Sequence, residues 1–477
     1  MDNSAAIDFQ SNVVKALNNP QLRKNLRSAM GSLSLKRKAV FPDPEEFEKL
    51  RTIGNAIRRR SLSRLPELLE KLEKKCTENG IQVHWAETTA EANHIFQDII
   101  KRHGATRVIK GKSMVSEEMH LNKFLEENGI EALETDLGEY IIQLDHETPS
   151  HIIVPAIHKN KDQVAHVFHE KIPNTPYTEV VEELNAIARK TLRQKFFGGE
   201  IGVSGVNFAV AETGTLCLVE NEGNGRMSTT VPPVHIAVMG LEKVVENLRD
   251  VPPLLRLLTG SATGQLITTY FNMITSPRKQ GEKDGPKEVH LVILDNGRSK
   301  MLADPELRET LQCIRCGACL NHCPVYTRLG GHAYGYVYPG PIGSILTPQM
   351  EGLNKAGAMA TASSLCGACE EVCPVKIPFT SIFRILRNES YAAGSSPHDV
   401  KGHGYKKNMV ESVAWKGWAA TNTVPVLNTV SAKMLGLLGS HVPKVGPLKE
   451  WTSVRTAPKF AKKSLHALAK ERGLDNE

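Results

Sequence analysis

The sequence predicts three kinds of structure in series: an α/β layered domain, a helical region organised around cysteines, and a helical C-terminal extension. Three observations carry that reading. Apolar strand-like runs alternate with amphipathic helical patterns between residues 76 and 296. Seven of the chain's 9 cysteines fall between positions 313 and 373. The two ends, residues 1–75 and 396–477, carry helical spacing and many charges but no strand alternation. The expected organisation is therefore a helical N-terminal segment (1–75), the α/β domain (76–296), the cysteine-bearing domain (297–395) and a basic helical extension (396–477).

Composition bounds the function. A chain of 477 residues is long enough for two to four domains, and 40% hydrophobic residues suffice for real cores. The formal net charge of +7, with 17 histidines uncounted, is mild for this length and makes no case for a nucleic-acid partner. No run reaches the roughly 18 apolar residues of a membrane span. Met1-Asp2-Asn3-Ser4 is not the basic start of a signal peptide. Cysteines gathered into metal-binding spacings suit a reducing compartment, so a cytoplasmic location is expected.

The elements follow in order. Leu62, Leu65, Leu68, Leu69 and Leu72 recur at helical spacing and predict a packing stripe. Arg58-Arg59-Arg60 reads as a solvated face or a docking patch. Residues 81–85 alternate as a strand, and 88–103 form a helix with Thr88 or Thr89 as its cap. Residues 108–110 are a short strand, and a helix opening at Ser116 ends at the Asn128-Gly129 C-cap. Residues 140–144 and 151–155 read as further strands, and 179–197 as a long amphipathic helix. Residues 206–219 and 234–239 are strand-rich, and 289–294 is a last buried strand. Cys76, in a charged helical pattern, and Cys217, in an apolar strand, are expected to be structural. Residues 378–391 predict a helix. The run from Gly330 to Gly343 is too rich in glycine and proline for regular structure; it is either ordered around the cysteines, used for docking, or a plain connector. In the extension, Trp415 and Trp418 share a helix face, Trp451 follows, and Lys459, Lys462, Lys463, Lys470 and Arg472 make a basic end.

The chemistry lies in the cysteine spacing. The first motif is Cys313-x-x-Cys316-x-x-Cys319-x-x-x-Cys323-Pro324, and the second is Cys366-x-x-Cys369-x-x-x-Cys373-Pro374. Three cysteines spaced by two residues wrap one turn of chain around an iron–sulfur cubane, and the cysteine before proline ligates the other cluster. Crossed ligation assigns Cys313, Cys316, Cys319 and Cys373 to one [4Fe–4S] cluster, and Cys323, Cys366 and Cys369 to a second. Seven thiols in this order fit neither a zinc ribbon nor the disulfide framework of a small exported domain. The position that would complete the second set holds Ser363. Three readings of that corner stand: Ser363 ligates through oxygen, the fourth iron takes water, substrate or another side chain, or the cluster holds three irons.

Other residues suggest an anion site. Gly111-Lys112-Ser113 resembles the end of a phosphate-binding loop, but the glycine required five positions earlier is Thr106. The better reading is a strand-to-helix turn whose amides and Lys112 hold an anion. Glu212, Glu222, Arg226 and His235 are expected near one rim, where a carboxylate beside an arginine suits a small acid or a coenzyme. Lys112, Glu212 and Arg226 are the candidate ligand residues, and His235, ahead of an apolar strand, reads as structural. No Gly-x-Gly-x-x-Gly fingerprint precedes a helix, so an ordinary dinucleotide fold lacks support.

Both cysteine motifs, with the run His332-Ala333-Tyr334-Gly335-Tyr336-Val337-Tyr338-Pro339-Gly340-Pro341 between them, closely resemble the lactate utilization protein B family. Lys110-Gly111-Lys112-Ser113 and Glu212-Thr213-Gly214-Thr215 resemble its N-terminal lactate-utilization (LUD) domain. The resemblance implies an α/β domain with the layered fold of sugar-phosphate isomerases and CoA transferases, followed by an α-helical two-cluster ferredoxin domain. It implies an iron–sulfur electron-transfer component that works with companion proteins in oxidising L-lactate to pyruvate. The electrons would pass toward a quinone-linked acceptor, and the protein would be cytoplasmic or peripheral at the inner face of the membrane. The rival expectation is a self-contained iron–sulfur enzyme that binds a 2-hydroxy acid at the open corner of the second cluster.

Overall fold

The structure is a computed structural model that describes residues 8–391, 409–438 and 459–474. Its centre is a six-stranded parallel sheet built from β1 (Gln82–Ala86), β2 (Arg107–Lys110), β3 (Glu131–Glu134), β4 (Ile201–Gly205), β7 (Val234–Gly240) and β10 (Glu288–Leu294), in the order β1-β10-β7-β4-β2-β3. Both faces are covered, so the central strands read as continuous apolar runs: every residue of β7 and all but the first of β10 are buried, whereas the edge strand β1 is largely exposed or half-buried. Thr88 caps the helix Thr89–Arg102 by accepting from Glu91 N–H at 3.2 Å. A second, four-stranded sheet runs β8 (Val244–Val245), β5 (Phe208–Val210), β6 (Thr215–Glu220), β9 (Tyr270–Ile274). The β5–β6 hairpin is antiparallel and β8 joins β5 in parallel, directly after β7 ends.

The iron–sulfur region does not stand apart from these sheets. One core joins Leu26, Met30 and Ile57 of the N-terminal helices to Phe208, Val210 and Val245 of the second sheet, and to Cys316, Cys319, Cys369 and Cys373. The leucine stripe is buried as expected: Leu65, Leu68, Leu69 and Leu72 pack with Cys76 in the helix Leu65–Glu78. Each such side chain contributes roughly 1.5–3 kcal/mol by leaving water. Cys76 and Cys217 are both buried, and burial pushes each thiol up to about 12.

Four expectations need correction. Residues 140–144 are helical, within Leu137–Leu144, because Asp136 caps that helix by accepting from Gly138 and Glu139 N–H. Residues 151–155 form no strand: the N–H groups of Ile153 and Val154 donate to His151 Nδ1, at 3.0 and 3.1 Å, instead of to a ladder. The Gly330–Gly343 run is partly regular, with a 3₁₀ turn at His332–Tyr334 and a helix starting at Gly340. Proline in the first turn of that helix costs no hydrogen bond. Gly343 is required by close approach, since a Cβ there would lie 1.6 Å from the Tyr338 carbonyl oxygen. Finally, Arg58 is no solvated residue but is 1% exposed.

Residues 406–477 form a second compact unit. Its described helices are Met409–Thr423, Pro425–Leu438 and Leu465–Glu471. The Trp415 and Trp418 rings meet edge to face at 5.8 Å, while Trp451 lies outside the described residues. Among the described residues, no helix is long and apolar enough to cross a membrane.

Candidate metal centre and the adjoining cavity

The two cysteine motifs share one backbone design. In each, a non-glycine residue with positive φ precedes a cysteine (Arg315 before Cys316, Leu365 before Cys366), and a left-handed glycine follows it (Gly317 and Gly367). A short helix then starts, Ala318–His322 or Ala368–Val372, and ends at the Cys-Pro pair. Main-chain N–H groups point at sulfur: Arg315 to Cys313, Tyr326 to Cys323, and Ile377 to Cys373, each at 3.4 Å.

The chain brings the thiols of both motifs close together. Cys313, Cys316, Cys319 and Cys373 wall one small cavity with Ile314, Ile342, Val375 and Phe379. Burial pushes the Cys319 thiol well up, and Cys313, Cys316, Cys369 and Cys373 push it further. Cys369 is raised to about 12 by burial and then by Cys323 and Cys366, and it acts in turn on Cys319. Cys366 is exposed; its thiol is lowered by the Ala368 N–H and by the Ser364 hydroxyl. All nine cysteines are unbridged. Seven thiols gathered at the ends of two short helices, with N–H donors aimed at the sulfurs of Cys313, Cys323 and Cys373, fit iron–sulfur ligation. Ser363 is turned to local work, its hydroxyl accepting from Leu365 N–H at 3.1 Å.

Around the first motif lies a buried ionic network with no local sequence signal. Arg58 donates to the carbonyls of Gln312, Val244, Glu242 and Leu311, at 3.2, 3.2, 2.5 and 3.1 Å. Glu118 and Glu242 share Arg298, with N–O distances of 2.8 and 2.7 Å, and Glu242 also meets Arg315 Nη2 at 3.2 Å. Burial pushes the Glu242 carboxyl up, but Arg298 and Arg315 outweigh it and hold it down to about 2. Tyr338 donates to Glu118 at 2.7 Å, and the Arg315 guanidinium lies 5.0 Å from its ring centroid.

A cavity of about 380 Å³ opens beside that network. It lies at the carboxyl ends of β2, β4 and β7, lined there by Gly111 to Ser113, Ser204, Gly205 and Lys243, and it reaches Arg315 of the first motif. Lys112 lines it, with Nζ 3.2 Å from Asp136 Oδ2 and 2.8 Å from the Ile153 carbonyl. Burial disfavours the Lys112 ammonium, but Asp136 and Glu139 outweigh it and raise its pKa. Burial and the neighbouring Arg315 push the Lys243 ammonium down to about 8.

The residues expected at one rim are dispersed. Glu222 lines this cavity and a second one, and Arg226 lines only the second, its guanidinium 5.9 Å from the Tyr270 ring centroid. Glu212 lies elsewhere, its carboxylate accepting from Leu248 N–H at 2.9 Å, because the β5–β6 turn carries it toward β8 and away from β2. His235 is buried in the sheet, 2.8 Å from Ser204 Oγ. Lys243 and Arg315, which the sequence reading did not select, are the cavity's buried cations.

Fold and site together define an iron–sulfur protein in which an α/β domain and a cysteine-bearing helical region share a core. Residues 69–294 match the LUD domain, 309–377 the 4Fe-4S dicluster domain, and 385–474 the C-terminal region of lactate utilisation protein B. The chain belongs to the lactate utilization protein B family. It is 41% identical over 463 residues to lactate utilization protein B of Bacillus licheniformis, covering 94% of each chain. Identity to the Bacillus subtilis protein of that name is 41% over 457 residues, covering 94% of this chain and 93% of the other. The uncharacterized electron transport protein YkgF of Escherichia coli is 39% identical over 460 residues, covering 94% of each.

Proposed function

We propose that this protein is the iron–sulfur electron-transfer component of a multi-protein system that oxidises L-lactate to pyruvate. The observation that supports the reading is the gathering of the cysteines, with Cys313, Cys316, Cys319 and Cys373 around one cavity; we read Cys323, Cys366 and Cys369 as the second ligand set. In this reading each set holds a [4Fe–4S] cluster, and the pair supplies the one-electron steps that a two-electron donor such as lactate requires. The chain's own residues insulate and expose. Ile314, Ile342, Val375 and Phe379 keep water from the first set. Cys366 and Ser364 lie at the surface, where a companion's redox centre has access to the second.

Lactate enters from the names of the Bacillus relatives, and electron transport from the name of the Escherichia coli one. Companion proteins, a quinone-linked acceptor and a cytoplasmic position, peripheral at the inner face of the membrane, complete the proposal. The parallel sheet with helices on both faces supports the layered fold of sugar-phosphate isomerases and CoA transferases for the α/β domain. The test is anaerobic reconstitution with the products of neighbouring genes, followed by electron paramagnetic resonance after L-lactate is added. Reduced-cluster signals are expected within the turnover time. Clusters that stay oxidised through turnover would overturn the reading, and lactate oxidation by the isolated chain with an artificial acceptor would establish the self-contained enzyme instead.

A further inference from the structure

We infer that the cavity at the carboxyl ends of β2, β4 and β7 is a binding site for a small organic carboxylate, held by Lys243 and Arg315 beside the first cysteine motif. Topology puts a crevice there. From β2 the chain runs outward to β3 and then returns to β4 on the other side of β2, so the strand order reverses between β2 and β4. Ligands of open parallel sheets bind outside the carboxyl ends of the strands at such a reversal. At about 380 Å³ the cavity falls in the range of small-molecule sites.

Charge says what fits. Lys243 is 7% exposed and lines the cavity, with Glu242 and Cys313 as the counter-charges that act on its ammonium. Arg315 is also 7% exposed; its Nη2 is engaged by Glu242, while its Nη1 is buried without a partner. Two cationic donors left open in one buried place are costly unless an anion completes them. A donor from each of two side chains suits the two oxygens of one carboxylate. Val206, Val238 and Leu258 give the same cavity an apolar wall for a short carbon chain. Cys313 acts as a counter-charge on both cations, but Lys243 lines this cavity and not the cysteine-walled one, so its ammonium is open to a ligand here as well.

Arg315 lines both cavities, so a bound carboxylate lies one side chain from the first cysteine set. An anion there disfavours adding an electron to that set, and by reciprocity reduction weakens carboxylate binding. This inference does not rest on the electron-transfer reading, since binding is measured on the iron-loaded chain without companions.

The experiment is anaerobic calorimetric titration of the full-length, iron-loaded protein with pyruvate and with L-lactate, chloride being the control. Saturable binding of at least one acid is expected, weakened about tenfold or more in Lys243→Met and retained in Lys243→Arg. Thr263→Trp, at a half-buried position of the lining, should block binding without altering the charges, which keeps the test open if Lys243→Met fails to fold. The bound acid should also shift the midpoint potential of one cluster to more negative values in the native protein and not in Lys243→Met. No saturable binding of either acid, or binding unchanged in both Lys243→Met and Thr263→Trp, would overturn the inference.

Discussion

Arg58 joins two parts of the molecule by main-chain contacts alone. Its carbonyl partners at Glu242 and Val244 follow β7, while those at Leu311 and Gln312 lead into Cys313. A planar fork with five donors is the side chain that can serve several carbonyls at once. Arg58→Met keeps most of the volume but strands those acceptors, and a loss on the order of 4 kcal/mol is expected in anaerobic denaturant unfolding. Arg58→Lys, with one donor centre, should recover only part of it. A native unfolding midpoint in Arg58→Met would refute this role. His235 makes a different statement, about pH. Burial, and then His290, push its imidazole down to about 3 from an unfolded value of 6.5. Above 6.5 both states are neutral and the stability is complete. As pH falls below 6.5 the unfolded chain takes up a proton that the folded chain refuses until about 3, so stability is lost across that window. The slope from this one group is about 1.4 kcal/mol per pH unit. His235→Gln should flatten the dependence between pH 6.5 and 5 by that amount, as read by urea unfolding at fixed ionic strength; an unaltered slope would show that another group sets it.

The helix Pro44–Ser63 carries the same logic to the scale of an element. Asp43 caps it, and Arg51, Asn55 and Arg58 recur at the spacing that puts them on one face. Arg51 donates to the carbonyls of Cys373 and Glu370, at 2.8 and 3.0 Å, and Asn55 to that of Val375 and to the Gln312 side chain, both at 2.8 Å. One polar stripe therefore ties the second motif to the first. Arg51→Met should release iron to a chelator several-fold faster under anaerobic conditions. Glu48→Gln, which removes only half-exposed ion pairs with Arg51 and Lys376, should change little. Equal release rates in Arg51→Met and the native chain would count against the stripe. It also explains what was legible in the sequence. Cysteine motifs are local spacings, and the central strands are long apolar runs, so both could be read directly. The leucine stripe after Arg64 was legible for the same reason. The Arg51, Asn55, Arg58 stripe has identical periodicity, but arginines in a charged segment read as solvated because their burial depends on carbonyls 184 to 322 residues away in sequence. Residues 140–144 and 151–155 were misread because a cap at Asp136 and the His151 ring decide their backbone, and apolar alternation reports neither. Glu212 and Arg226 looked like neighbours along the chain, yet the hairpin sends Glu212 toward β8. Lys243 stands in no recognisable motif; it ends a short turn, Leu241–Lys243, that the fold buries.

At the scale of the whole molecule, these contacts decide which pieces can hold iron. The 4Fe-4S dicluster match begins at residue 309, and taken alone it marks out a small helical domain. The core says otherwise, because Cys316, Cys319, Cys369 and Cys373 pack with Leu26 and Ile57 from the N-terminal helices and with Phe208, Val210 and Val245 from the second sheet. Cutting at residue 297 would expose that apolar surface and remove Arg51, Asn55 and Arg58 from the carbonyls they satisfy. It would also leave Arg315 without Glu242. All of these contacts lie within residues 1–405, a compact unit of its own. A chain ending at residue 405 keeps every one of them and is therefore expected to hold iron as the intact protein does. A piece spanning 297–395 is expected to aggregate, or to take up iron that it cannot retain through gel filtration. Iron-to-protein ratio and visible absorption after anaerobic reconstitution distinguish the two. A stable, fully loaded 297–395 piece would show that the motif residues alone build the site, and that the N-terminal helices and second sheet only cover it.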